Sequence, residues 1–399
     1  MLSINDANFM VSIAFTGGGT GGHIYPGLAI VAQVKKLFPC RIFWIGSASG
    51  MDRGIVEAAG IEFFGIPSGK LRRYFSLRNI TDLFRVAAGF FAAKRLLKRE
   101  APGLLFSKGG FVSVPPCAAA KLLGIPVFTH ESDFSPGLAN RINTRFAERI
   151  FVSYAESASF FKGAARRKLC VSGNPVRPDF ESADPAKGRA FLGLGSDERV
   201  LLVLGGSLGS REINELVIAC LPELSAYYTV VHQTGESAEG IPEASPRYKP
   251  FAYLREELCH VLAAAELVLC RSGANTIWEC KSLRKPMLLI PLRGAGTRGD
   301  QVENARLFER RGAALCFMPE AAPLAAPLAA HGGANAATAA PSATEVSAAK
   351  KLAGLIKSLA DDPQKRKQMA EAELAAGGYN GETSPAAFIA EEIIKRLKE

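Results

Sequence analysis

The octapeptide Thr16-Gly17-Gly18-Gly19-Thr20-Gly21-Gly22-His23 sets one imidazole beside a loop with almost no side chains. Such a loop lets a ligand approach the main chain, and the helix start after it offers unpaired N–H groups and a partial positive charge to an anion. Gly17, Gly19 and Gly22 satisfy G-x-G-x-x-G, the signature of a dinucleotide site, which also calls for an acid about 20 residues on. The second strand, Arg41–Ile45, ends in Gly46-Ser47, so that acid is missing, and no Gly-Lys-Ser/Thr follows to make a P-loop. The loop can therefore admit a sugar, phosphate or glycosyl group, with His23 beside it. The plainer alternative is a tight turn with a capping histidine.

Further polar groups stand where strands end. Val127-Phe128-Thr129-His130-Glu131-Ser132-Asp133 closes a strand with a histidine and two acids. A capped helix entry at Ser135-Pro136 is the rival account. Gly173-Asn174-Pro175-Val176-Arg177 joins two halves of the chain, and Arg177 could reach a phosphate from there. Gly205 to Gly209 is a second glycine loop, in which Ser207 and the backbone N–H groups suit a pyrophosphate. At Ala274-Asn275-Thr276, a third helix entry, Glu279 lies one to two turns in and could accept both hydroxyls of a ribose; otherwise it is a solvated helix acid. Gln301 and Asn304 follow a glycine- and arginine-rich loop and carry amides suited to sugar hydroxyls. No Asp-x-Asp occurs, so no metal site is expected.

The elements that must position these groups alternate. Strands at Val11–Phe15, Arg41–Ile45, Leu104–Phe106, Val127–Thr129, Ile150–Val152 and Leu169–Ser172 alternate with helical stretches, the first holding Pro26 near its first turn. This implies right-handed crossovers and a parallel sheet. The design restarts at Val200–Leu204, then a helix over Glu212–Leu224, and strands at Thr229–His232, Leu267–Cys270 and Leu288–Ile290. The fold class is therefore α/β, with two doubly wound Rossmann-like domains facing a central cleft. Ligands in such sheets bind at the carboxyl ends of the strands. Helices are expected over Ala348–Leu359, Gln364–Ala375 and Pro385–Leu397. Residues 320–345 form an Ala/Pro/Gly tract that reads as a flexible insertion.

The 399 residues are 48% hydrophobic and 22% charged, as in soluble globular chains, and eight cysteines without a Cys-x-x-Cys pair look like buried thiols. No signal peptide or spanning segment is visible, so a cytoplasmic protein is expected. A formal charge of +10 suits nucleic acid, anionic lipid or a phosphorylated substrate. No nucleic-acid-binding motif supports the first. Between Lys70 and Arg99, nine cations are set among aromatic and aliphatic residues. Part of this is a core-facing helix, and the surplus fits a surface lying on an anionic bilayer.

Taken together, Gly17–His23 with Pro26-Gly27, Gly109–Ser113, His130-Glu131 with Gly137–Asn140, Gly173–Arg177, Gly205–Gly209, Arg271–Glu279 and Asp300-Gln301 with Asn304-Ala305 are seven motifs in order. In them the chain resembles the MurG family of bacterial peptidoglycan glycosyltransferases, which add GlcNAc to lipid I to make lipid II. The resemblance implies a GT-B arrangement and an inverting transfer from UDP-GlcNAc to the 4-hydroxyl of the lipid-linked MurNAc, with no cofactor required. It implies an acceptor and membrane-facing domain over 1–176, a UDP-GlcNAc domain over 177–380 and a helix over 381–399 returning to the first. It places Thr20, Gly21, Gly22 and His23 near the donor sugar and diphosphate, Arg177 and Ser207 on the diphosphate, Ala274, Asn275, Thr276 and Glu279 at the uridine, and Gln301 at GlcNAc. Arg255 aligns near the uracil edge, and Asp133 stands where many members have Asn. His23 is the first candidate at the reacting centre, as base or diphosphate ligand; Glu131 and Asp133 are rival bases. A peripheral place on the cytoplasmic face of the membrane and partners in a cell-wall synthesis complex are implied too. A UDP-GlcNAc 2-epimerase and a non-catalytic nucleotide-sugar-binding subunit remain the alternatives.

Overall fold

A computed structural model describes residues 11–69, 78–206, 209–236, 238–294, 297–319, 343–375 and 383–399. The chain divides into two compact units, Met1–Glu181 with Gly377–Glu399, and Ser182–Ala376. Most of the 320–345 tract, and Lys70 to Leu77 of the basic segment, lie outside the described residues.

The first unit holds a seven-stranded sheet of β1 (Ser12–Thr16), β2 (Arg41–Ser47), β3 (Glu62–Ile66), β4 (Leu104–Ser107), β5 (Val127–Glu131), β6 (Arg149–Val152) and β7 (Leu169–Val171), in the order β3-β2-β1-β4-β5-β6-β7. Every pairing is parallel. Side chains alternate across a strand, so β1 sends Ile13 and Phe15 into one core and Ala14 into the other. The Ile13 side is completed by the last helix, Pro385–Lys398, which buries Ile389 and Ile393 against the helix Gly21–Leu37. Ser384 caps that last helix by accepting the Ala387 N–H at 3.3 Å, and ion pairs Arg149–Glu392 and Arg396–Glu148 tie it to the sheet end.

The order reverses direction between β1 and β4, which are neighbours although β2 and β3 lie between them in sequence. The loops leaving the carboxyl ends of β1 and β4 therefore diverge side by side, and a crevice opens at such a switch point. The second unit repeats the plan with β8 (Val200–Leu204), β9 (Thr229–Gln233), β10 (Tyr248–Phe251), β11 (Leu267–Cys270), β12 (Met287–Leu289) and β13 (Ala314–Cys316), in the order β10-β9-β8-β11-β12-β13. Its switch point lies between β8 and β11. One face of this sheet packs on Leu352, Ile356 and Leu359 of the helix Ala343–Asp361.

Two helix readings change in detail. The first helix begins at Gly21, so Pro26 sits inside it and not in its first turn. Gly21 and Gly22 thus occupy positions whose N–H groups have no carbonyl a turn behind them. The expected Glu212–Leu224 helix is two, Arg211–Ala219 and Leu221–Ser225, broken at Cys220 ahead of Pro222, where proline lacks the N–H that a continuous helix needs.

The helix Arg78–Glu100 has a core-facing side and an exposed side. Ala93, Leu96 and Leu97 are buried, while Leu83, Phe84 and Phe91 are 60%, 73% and 66% exposed. Phe84, Ala88, Phe91 and Arg95 fall on one helical stripe, and all four are exposed. Among the described residues no helix is long and apolar enough to cross a membrane.

Candidate active site

The first glycine loop is held by groups far away in sequence. Trp44 Nε1 donates to the Gly17 carbonyl at 2.9 Å, and the Asp52 carboxylate accepts the Gly19 N–H at 2.9 Å and the Ser47 N–H at 3.1 Å. Asp52 is fully buried and lies against Gly18, where a side chain would collide with it. The acid missing from the end of β2 is thus supplied five residues later, and it binds the loop itself. No local pattern in the sequence marks this residue, because its role depends on that tertiary contact.

The turn after β4 packs against this loop backbone to backbone. Gly19 has φ +85°, and a Cβ there would fall 2.6 Å from Phe111 Cε1; Gly110 has φ +80°, and its Cβ would lie 3.1 Å from His23 Cδ2. Glycine is required at both by conformation and by space. The half-buried His23, in the first turn of its helix, therefore flanks two glycine turns that meet at the switch point. Thr20, Gly21 and Gly22 belong to the same cluster.

One strand over, the polar end of β5 separates by role. Glu131 is 4% exposed, and its oxygens accept from the N–H groups of Asp133 (3.0 Å) and Gly137 (2.9 Å) and from Asn140 Nδ2 (2.9 Å). A carboxylate so engaged shapes the turn. Asp133 is half-buried on that turn. His130 is fully buried: Nδ1 accepts from Lys108 Nζ at 2.8 Å and Nε2–H donates to the Gly173 carbonyl at 2.8 Å. Burial and the neighbouring ammonium hold this imidazole well below its ordinary range. Arg177 lies in the first unit, its guanidinium 4.9 Å from the Phe180 ring centroid and 5.7 Å from that of Tyr25.

In the second unit the glycine loop after β8 leads to the helix Arg211–Ala219, whose cap Ser210 accepts the Ile213 N–H at 3.3 Å. Arg271, after β11, donates to Ser210 Oγ (2.6 Å), to Glu212 (2.7 Å) and to the carbonyls of Ile290 and Pro291. It binds the loops after β8, β11 and β12 together. Gln233 does the same on the other side, donating to the Gly206 carbonyl at 3.3 Å and accepting the Leu254 N–H at 3.0 Å. Neither was singled out as a site residue. Ser207 lies outside the described residues.

The helix Ala274–Ser282 begins without a side-chain cap, and Asn275, Thr276 and Glu279 share one half-exposed face of it. Arg255 is 75% exposed, with Glu236 at 3.9 Å and the Tyr253 ring beneath it. Gln301 accepts the Leu292 N–H at 2.9 Å through Oε1, so Nε2 is what it can offer a sugar. Asn304 departs from its expected role. It is fully buried and donates to the Ser272 carbonyl at 3.1 Å, a link between the loop after β11 and the helix Asp300–Arg310. Among the described residues no group of three or more His, Cys, Asp or Glu side chains could hold a metal ion.

Residues 13–152 match the glycosyltransferase family 28 N-terminal domain and residues 200–325 the family's C-terminal domain. This chain belongs to glycosyltransferase family 28. The UDP-N-acetylglucosamine--N-acetylmuramyl-(pentapeptide) pyrophosphoryl-undecaprenol N-acetylglucosamine transferase of Treponema denticola is 50% identical over 331 residues, spanning 78% of this chain and 85% of that one. In three dimensions the family 28 chain is similar to Acinetobacter baumannii MurG, with a TM-score of 0.69 at 21% identity over 96% of this chain and 99% of that one. The Neisseria meningitidis UDP-GlcNAc 2-epimerase bound to UDP-GlcNAc has a TM-score of 0.62 at 13% identity, covering 98% and 100%. These two structures share the fold, GT-B, with this chain. The Treponema denticola transferase, at 50% identity, shares its sequence closely as well.

Proposed function

We propose that this chain transfers GlcNAc from UDP-GlcNAc to the 4-hydroxyl of the lipid-linked MurNAc-pentapeptide, lipid I, forming lipid II in peptidoglycan synthesis. The observation that carries this is 50% identity to a transferase of that name across both domains. The 4-hydroxyl oxygen attacks C1 of GlcNAc from the face opposite UDP, the C1–O bond to the diphosphate breaks, and the configuration inverts. A general base takes the hydroxyl proton, and fixed dipoles absorb the charge that grows on UDP.

His23 is the group we place at the reacting centre, because it stands between two glycine turns at a switch point and its ring can accept a proton. Asp133 is placed at the acceptor. We assign Glu131, whose oxygens hold three N–H groups, to shaping that turn. On the donor side, the loop Gly205–Gly209 with Ser207 faces the diphosphate, as does Arg177. The face bearing Asn275, Thr276 and Glu279, after Ala274, takes the uridine; Arg255 marks the uracil edge, and Gln301 reaches GlcNAc. No cofactor enters this reaction. The exposed Phe84–Phe91 stripe, with Arg95 and Lys98 beside it, suits an anionic bilayer, and with it a peripheral place on the cytoplasmic face of the membrane near other cell-wall enzymes.

The test is to incubate the protein with labelled UDP-GlcNAc and a lipid I analogue. A lipid-linked disaccharide is expected. UDP-ManNAc instead would make it an epimerase, and no product at all would leave a binding subunit.

A further inference from the structure

Lys108, between β4 and its glycine turn, is 1% exposed. Its ammonium bonds His130 Nδ1 at 2.8 Å and the Ser132 hydroxyl, and lies 3.5 Å from Asn174 Oδ1. Ser132 in turn donates to Asn174 Oδ1 at 2.7 Å. All three partners are neutral, and among the described residues no carboxylate lies within ion-pair distance of it. A buried ammonium so placed is a burden on folding, because neutral dipoles replace water incompletely. A Met of similar length would fill the space without that charge, so the account of Lys108 lies in what it holds and what its field reaches. It holds Ser132, the residue between Glu131 and Asp133. Its field meets those same two carboxylates, whose attraction opposes the drop that burial imposes on its pKa. Two carboxylates on one turn add negative charge where an acceptor that carries a diphosphate would approach.

We propose that Lys108 is a positioning residue for the acceptor: its buried ammonium fixes the Glu131–Asp133 turn through Ser132 and offsets the Asp133 carboxylate, so that an anionic diphosphate-bearing acceptor can reach that turn. This rests on the reading that the first unit takes the lipid I acceptor. Lys108 touches no reacting atom and acts through its neighbours.

The experiment compares wild type, Lys108→Met, Asp133→Asn and the double variant, using a short-chain, water-soluble lipid I analogue with acceptor and donor varied separately. Lys108→Met is expected to raise the acceptor KM roughly tenfold or more and to leave the donor KM within about twofold. In the double variant the acceptor KM is expected to return to within about threefold of Asp133→Asn alone, because the charge to be offset has gone. A purely structural role would not be relieved by that second change. An unchanged acceptor KM in Lys108→Met, or two effects that simply multiply, overturns the proposal. If Lys108→Met lacks a cooperative melting transition, Ser132→Ala breaks the same chain and keeps the ammonium; an acceptor KM that does not rise in it overturns the proposal equally. A wild-type protein that makes no lipid-linked disaccharide brings down the functional reading and this inference with it. Normal wild-type turnover with an indifferent Lys108→Met brings down the inference alone.

Discussion

Single residues in this chain were legible when their neighbours in sequence declared them and opaque when their partners were remote. Thr20 to His23 stand out as candidates because a run of glycines leads straight into a helix there. Asp52 reaches the Gly19 N–H across 33 positions and Gln233 reaches Gly206 across 27, and no local pattern marks either. Asn304 carries an amide that suits a sugar, yet it is buried and bonded within the fold, and Glu131 likewise holds three N–H groups there, as buried polar atoms must find partners. Lys108 gives the residue scale its measurable consequence. Burial takes its ammonium from an ordinary 10.5 to about 8. Below pH 8 both states carry the proton, and the native state bears the full penalty, about 3 kcal/mol at 1.36 kcal/mol per pH unit. Between about 8 and 10.5 the unfolded chain holds more protons than the folded one, so this group's contribution to stability rises with pH. Lys108→Met should remove that rise: the difference in unfolding free energy between wild type and variant, from urea melts at pH 7.5 and 9.5, should shift in favour of wild type at the higher pH. A difference that stays constant across the two would show that the ammonium titrates normally.

At the scale of elements, the strands in the middle of each sheet were readable and three at the edges were not. β4, β8 and β11 are short apolar runs buried on both faces. β3, β10 and β13 are edge strands, half-exposed, with residues such as Glu62 and Lys249 in them. An edge strand needs only one buried face and one hydrogen-bonded neighbour, so its apolar signal is diluted. The helix Arg78–Glu100 had a double reading for a related reason: one stripe answers to the core and another to something outside. Its exposed stripe allows a direct test. Phe84→Ser with Phe91→Ser removes two rings worth about 1.5–3 kcal/mol each if they enter a bilayer. Binding to anionic vesicles should fall at least tenfold, while the melting temperature barely moves because neither ring is in the core. Vesicle binding that survives both changes would assign the stripe to a protein partner.

For the whole molecule, two glycine loops, each after the first strand of its own sheet, imply two similar units, and the structure has two sheets with the same switch-point plan. The first unit is discontinuous and takes its last helix from the far end of the chain, a return that no local pattern marks and that the family resemblance implies. That helix brings Ile389, Ile393 and Ala390 into the core built on β1, β2 and β4, all three fully buried. A defect there should therefore damage the first unit and leave the second intact, although its position in sequence is closer to the second. Ile393→Ala deletes three buried carbons and leaves a cavity, a change that costs about 2–5 kcal/mol in a well-packed core. Scanning calorimetry should show the first unit's transition falling by several degrees. The transition that UDP is proposed to raise should stay where it is, because the helix face proposed for uridine, the second glycine loop and Gln301 all belong to Ser182–Ala376. If the UDP-sensitive transition falls with the other, the two units unfold as one, and the last helix supports both.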